Sequence, residues 1–237
     1  MNAAPAFDAL DRPPHLLLVD DDDRIRELLK KYLAQAGARV SAAADAAGAR
    51  KLLDGMDFDL LILDVMMPVE DGFSLAESVR KTSKVPIVFM TARGLAEDRI
   101  RGLSIGADDY VPKPCTPREL AARLRAILKR TLPGDAGPGV LAAGDIMLWP
   151  GRRIAEQAGR RIDLTATEFN LLTVLARHAG QAVSKETLSQ EALQRPLARY
   201  DRSIDVHVSS IRQKLLPCAD GRSPIQTVIR QGYVLVR

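Results

Sequence analysis

Four consecutive aspartates, Asp20 to Asp23, stand directly behind the apolar run LLLV (16–19) and directly ahead of a helical pattern. Asp64 closes a second apolar run, DLLILD (59–64), Thr91 closes VFMT (88–91), and Lys113 sits in VPKP (111–114). Adjacent carboxylates repel, so such a cluster needs a cation or a helix end to hold it. Hard oxygen donors with room for water suit Mg²⁺, whereas an Asp at the start of a helix caps the first turn and favours its dipole. Both readings are open for the run as a whole, with Asp20 and Asp21 the candidate ligands and Asp22 and Asp23 the candidate helix starters. A hydroxyl and an ammonium on the same edge would complete a phosphoryl-handling site with Asp64 as nucleophile. Pro114 is a candidate for a cis peptide bond that would aim Lys113 inward.

These residues converge only if the chain folds to bring strand ends together. LLLV (16–19), RVSA (39–42), DLLILD (59–64), PIVFM (86–90) and DYVP (109–112) alternate with helical patterns. One stripe runs through Ile25, Leu28, Leu29, Leu33 and Ala36 and stops at Gly37. The last helix opens with the capping box TPRE (116–119) and carries Leu120, Leu124, Ile127 and Leu128 on one face. Five strands alternating with five helices predict an α/β doubly wound five-stranded parallel sheet. In such sheets ligands bind beyond the carboxyl ends of the strands, where the strand order reverses. With the order 2-1-3-4-5, the first and third strands are neighbours and Asp20, Asp21 and Asp64 meet.

Residues 132–140 are rich in Pro and Gly and read as a linker. Short antiparallel strands are expected over 141–164, helices from near Thr165, Ser184 and Asp201, and a terminal hairpin turning at Gln231-Gly232. That order suits an α+β winged helix-turn-helix domain. In the third helix Ile204, Val208, Ile211 and Leu215 form the core stripe, and Ser203, His207, Ser210 and Lys214 repeat it one residue earlier. With Arg202, Val206 and Arg212 they suit either a solvated helix face or the phosphate and base-edge contacts of a DNA-reading helix. His207 has no second His or Cys at ligand spacing, which argues against a metal role.

Composition agrees with this division. Residues 140–237 carry 14 basic against 9 acidic residues, net +5, while residues 1–139 carry 20 against 21, net −1. The excess positive charge lies in the half expected to meet double-stranded DNA. No apolar run approaches the roughly 20 residues needed to span a bilayer. Residues 1–14 lack the pattern of a signal peptide and are expected to be a disordered tail, which makes the chain cytoplasmic and Cys115 and Cys218 free thiols. The expected domains are therefore 15–131 and 141–237.

The motifs VDDD, LDVMMP, MTAR, GADDY and KP, in this order, resemble the receiver domain of bacterial two-component response regulators. With the C-terminal pattern LTATEFNLL, VSKETLSQ and QGY, everything beyond the tail resembles the OmpR/PhoB subfamily. The resemblance implies a transcription factor, not an enzyme, in which Asp64 accepts phosphate from a sensor histidine kinase. It implies Mg²⁺ on Asp20, Asp21, Asp64 and the backbone carbonyl of Met66, with Thr91 and Tyr110 as the switch pair and Lys113 on the phosphate. It implies a homodimer on phosphorylation, through Arg99–Glu119, Asp108–Arg123 and Asp109–Arg130, and RNA polymerase as a partner at the promoter. It makes Arg202, Ser203, Val206, His207, Ser210, Arg212 and Lys214 the DNA contacts of the third helix, with Arg230 of the wing at a minor groove. Two positions depart from the pattern: Cys115 replaces the usual Phe after KP, and Ile229-Arg230 stand where the wing usually has Arg-Gly. The competing reading, a Mg²⁺-dependent phosphatase acting through Asp64, is disfavoured because many such enzymes carry a second acid two residues after the nucleophile, where this chain has Met66.

Overall fold

A computed structural model describes residues 6–7, 10, 12–92, 96–131, 139–198, 201–218 and 220–236. The chain divides into two compact units, Met1–Lys129 and Arg130–Arg237. The expected linker falls at 132–140, of which 132–138 lie outside the described residues.

In the first unit the apolar runs become β1 (His15–Val19), β2 (Arg39–Ala43), β3 (Leu60–Asp64), β4 (Ile87–Thr91) and β5 (Asp109–Pro112), all parallel and ordered 2-1-3-4-5. Between and after them run α1 (Asp23–Gln35), α2 (Ala46–Gly55), α3 (Gly72–Arg80), α4 (Ala96–Ser104) and α5 (Pro117–Thr131), whose last two residues already belong to the second unit. Successive strand residues face opposite sides of a sheet, and here both sides are covered. Leu16, Leu18, Leu60, Ile62, Val88 and Met90 pack with Leu29 and Leu33 of α1 and Leu120, Leu124 and Leu128 of α5. Leu17, Val19, Leu61, Leu63 and Phe89 pack with Ala46 and Ala49 of α2 and Phe73 and Leu75 of α3. Burial on both faces explains why the strands read as continuous apolar runs.

Three sequence expectations need correction in this unit. Leu28 is 59% exposed, so the buried line of α1 is Leu29 and Leu33 with the half-buried Ile25 beside them. Only half of the TPRE box forms: Thr116 Oγ1 accepts the Glu119 N–H at 3.1 Å, while the Glu119 carboxylate turns to Arg123. The leading segment is also more than a disordered tail. Phe7 is 2% exposed within the α1–α5 core, its N–H donates to Ala36 O at 3.0 Å, and Arg12 grips Asp59 with both terminal nitrogens. Residues 1–5, 8, 9 and 11 lie outside the described residues.

The second unit begins with an antiparallel sheet of β6 (Leu141–Ala143), β7 (Ile146–Trp149), β8 (Ile154–Gln157) and β9 (Arg160–Arg161). Helices α6 (Ala166–Arg177), α7 (Lys185–Ala192) and α8 (Ser203–Lys214) follow, then the hairpin β10 (Ile225–Val228) and β11 (Gly232–Leu235). Thr165 and Glu168 form a complete capping box at the start of α6, and Ser184 caps α7. The core gathers Leu171, Leu172 and Leu175 of α6, Leu188 of α7, Ile204, Val208 and Ile211 of α8, and Ile225, Tyr233 and Leu235 of the hairpin. The hairpin turns two residues earlier than expected, at Ile229-Arg230: Gln231 N–H donates to Val228 O, and Gly232 is already the first residue of β11.

Candidate phosphoacceptor site and DNA-reading surface

β1 and β3 are hydrogen-bonded neighbours with Val19 opposite Leu63, so the residues that follow, Asp20 and Asp64, emerge side by side. Asp21 joins them, and one carboxylate oxygen from each of the three lies within 4.8 Å of the others. Asp22 takes the other role the run allows, capping α1 by accepting the N–H groups of Arg24 and Ile25. Lys113 follows β5 directly and precedes a cis Lys113–Pro114 peptide, and its Nζ donates to Asp20 Oδ2 and Asp64 Oδ2, each at 2.7 Å. The second oxygens are held from the backbone: Asp22 N–H donates to Asp20 Oδ1 and Met66 N–H to Asp64 Oδ1, both at 3.1 Å. Thr91, at the end of β4, is fully buried, and its carbonyl accepts the Lys113 N–H at 2.7 Å.

Burial raises the Asp20 carboxyl, and Lys113 reverses only part of that. For Lys113 burial acts the other way, yet the Asp20 and Asp64 carboxylates prevail and raise its ammonium. Both groups move upward: one ammonium is shared between two acids, so it gains from both, while Asp20 gains only part of it and is repelled by Asp64. Three converging carboxylates facing one ammonium form a donor set that fits a hard divalent cation such as Mg²⁺.

The loop between β3 and α3 is built for close approach. A Cβ on Gly72 would lie 2.1 Å from Asp64 O, so α3 can sit against the end of β3 only with glycine there. Val69, fully exposed in the same loop, is held at φ 70, a rare conformation for a β-branched residue. Tyr110 is buried, its ring centroid 6.3 Å from that of Phe89. Cys115 packs half-buried against the α1–α5 core, and burial pushes its thiol pKa up.

Of the residues named for a dimer face, Glu119, Arg123 and Asp109 meet within one chain. Arg123 Nη1 donates to Asp109 Oδ2 at 3.1 Å and Nη2 to Glu119 Oε1 at 3.0 Å. Asp108 is buried, accepts Ile87 N–H at 3.0 Å and lies 3.6 Å from Arg80, which removes it from that surface. Arg130 is buried too. Its guanidinium donates to Leu193 O and Thr167 Oγ1 within the second unit. Arg99 lies in α4, half-buried.

The second unit changes the list of DNA candidates. His207 is 0% exposed and Ser203 is buried, its hydroxyl accepting from Arg195. Ser210 Oγ donates to Glu168 Oε1 at 2.5 Å and Lys214 Nζ to Glu168 Oε2 at 2.6 Å, so both turn back onto α6. Arg212 is spent on the hairpin, donating to Ile225 O and Thr227 Oγ1, both at 2.9 Å. The reason is angular. At roughly 100° per residue, the Ser203–His207–Ser210–Lys214 stripe lies about a quarter turn from the core line and therefore packs against α6. The line opposite the core runs through Arg202, Val206, Ser209 and Gln213, of which Arg202, Ser209 and Gln213 are exposed and Val206 half-buried. Ser209 and Gln213 were missed, although the half-turn offset from Ile204–Val208–Ile211–Leu215 marks them. Arg230 is exposed at the hairpin tip, with φ 62.

Comparison with known proteins places the chain in a family. Residues 16–125 match the response regulator receiver domain, and residues 159–235 match the C-terminal domain of transcriptional regulatory proteins. The transcriptional regulatory protein CpxR of Escherichia coli is 45% identical over 227 residues, covering 93% of this chain and 97% of that protein. Protein PetR of Rhodobacter capsulatus is 45% identical over 231 residues, covering 94% and 97%. Among solved structures, a RitR mutant shares the fold with a TM-score of 0.73 at 21% identity, over 94% of this chain and 98% of that one. DrrB of Thermotoga maritima, described as an OmpR/PhoB homolog, matches with a TM-score of 0.50 at 28% identity, over 95% and 100%. With a receiver domain, a DNA-binding transcriptional regulatory domain and relatives of this likeness along nearly its whole length, the chain belongs to the OmpR/PhoB family of two-component response regulators.

Proposed function

We propose that this response regulator takes a phosphoryl group onto Asp64 from the phosphohistidine of a sensor histidine kinase and in response binds promoter DNA in the cytoplasm. The observation that carries this reading is the Lys113 ammonium at 2.7 Å from both Asp20 and Asp64, on an edge that also holds Asp21 and Thr91. Asp20, Asp21 and Asp64, with the Met66 carbonyl, would hold Mg²⁺, which when bound offsets the charge of the transferred group. Lys113 exchanges its bond to Asp64 for one to a phosphoryl oxygen, and the Thr91 hydroxyl donates to another. Tyr110, already inside beside Phe89, is held there once Thr91 is engaged.

The α4–β5–α5 face then forms a two-fold symmetric dimer through Arg99, Asp109, Glu119 and Arg123, with the Arg123 pairs redistributed between subunits. Asp108 and Arg130 take no part, because each is committed inside its own chain. On DNA, α8 presents Arg202, Val206, Ser209 and Gln213 to the major groove, and Arg230 reaches a minor groove from the hairpin. RNA polymerase is the partner that turns this binding into transcription.

Intact mass after incubation with Mg²⁺ and acetyl phosphate tests the first step. One phosphoryl adduct is expected, absent in Asp64→Asn, together with tighter duplex binding by the phosphorylated chain. A folded, Mg²⁺-binding chain that gains no adduct would sink the phosphoacceptor assignment.

A further inference from the structure

The hairpin and α8 are fastened to each other at two points, one near each end of the helix. At the C-terminal end, Arg212 Nε donates to Ile225 O and Nη2 to Thr227 Oγ1 on β10, each at 2.9 Å. Its guanidinium lies 5.5 Å from the centroid of the Tyr233 ring on β11, within cation–π range. At the N-terminal end, Tyr233 Oη donates to Asp205 Oδ1 at 2.5 Å. The same Asp205 oxygen is 2.6 Å from Lys185 Nζ, the first residue of α7, and that ammonium in turn lies 6.0 Å from the Tyr233 ring centroid. Tyr233 thus joins α7, α8 and the hairpin, and its ring is buried between them.

The foot of the hairpin is fixed on its other side as well. Tyr233 and Val183 exchange both backbone hydrogen bonds, at 3.0 and 2.7 Å. A Cβ on Gly232, whose φ is +131, would lie 2.0 Å from Val183 O. Beyond these anchors only the tip projects: Ile229, 83% exposed, with Arg230 and Gln231.

A tip held this way cannot be moved independently of α8. We infer that Arg212 and Tyr233 are positioning residues for DNA recognition: they lock the hairpin to α8, so that the contact made by Arg230 depends on the register of the helix in the major groove. Neither touches DNA in this assignment. The cost of losing Arg230 is therefore conditional on the lock, and the three residues behave as one energetic unit.

This inference rests on the DNA-binding reading above and is tested on the full chain with a double-mutant cycle. The probe is a duplex enriched by the unsubstituted chain from a random-sequence pool. Arg230→Ala should weaken binding on the order of tenfold and lower the slope of log affinity against log salt by about 1. Tyr233→Phe, which removes only a hydroxyl and keeps the buried ring, should weaken binding by a comparable factor. Adding Arg230→Ala to Tyr233→Phe or to Arg212→Ala should then cost less than about threefold more, with little further change of salt slope.

Additive losses would overturn the coupling. So would a separate fall in salt slope for Arg212→Ala on top of Arg230→Ala, since that marks Arg212 as a phosphate contact. An unchanged affinity for Arg230→Ala would overturn it too. Failure of the unsubstituted chain to bind any duplex would sink the functional reading and the coupling with it, whereas additivity in a chain that binds would sink the coupling alone.

Discussion

Arg230 stands at the wing tip where the family usually has glycine, and it adopts the backbone that glycine favours, φ 62. Left-handed backbone costs a residue with a Cβ roughly 1–2 kcal/mol, while a glycine adds about 0.5–1 kcal/mol of unfolded-chain entropy. Arg230→Gly is therefore expected to stabilise the second unit by about 0.5 kcal/mol while weakening duplex binding, as read by denaturant unfolding and a salt titration. A substitution that lost both stability and binding would mean the turn is not strained. The same scale separates what the sequence could and could not announce. Asp20, Asp21, Asp64 and Lys113 were legible because acids and a lysine at the ends of apolar runs have few other reasons to be there. His207 and Ser210 were not, because a polar residue on a helix flank looks solvated until the packing partner is known; for Ser210 that partner, Glu168, lies 42 residues upstream.

At the scale of elements, strands buried on both faces announce themselves as apolar runs, and all five were readable to within a residue or two. The leading segment was not, since one Phe among Ala and Pro carries no periodicity. Yet Phe7 fills space in the α1–α5 core and its N–H terminates α1 at Ala36 O. Truncating a buried Phe typically costs about 3–5 kcal/mol. Phe7→Ala should lower the stability of the receiver by an amount of that order, measurable as an earlier loss of far-UV circular dichroism in urea. A change below about 1 kcal/mol would return this segment to the status of a tail.

For the whole molecule, two separate cores imply that each unit can lose structure in its own transition. The only tryptophan in the sequence, Trp149, lies in β7 and so reports on the second unit. That unit also holds Asp201, whose carboxyl burial would raise, but which the Arg195 charge and the Ser203 bonds bring down to about 2. A carboxyl depressed in the folded state stabilises above its unfolded pKa and loses that contribution as pH falls through the folded value. A shift from 3.8 to about 2 corresponds to roughly 2 kcal/mol. Urea midpoints followed by Trp149 emission should therefore fall between about pH 4 and pH 2, and Asp201→Asn should flatten that fall. An unaltered pH profile in Asp201→Asn would show that other carboxylates govern the acid response.

The glycine that lets α3 rest on the end of β3 has a consequence for how this gene can drift. Position 72 is closed to every side chain because the obstacle is the Asp64 carbonyl itself, 2.1 Å from where a Cβ would be. Position 69, three residues earlier, carries valine on left-handed backbone at the open surface. Random change should therefore accumulate at Val69 and stop at Gly72, and an allele altered only at Gly72 would carry all three acids yet displace the strand end that presents Asp64.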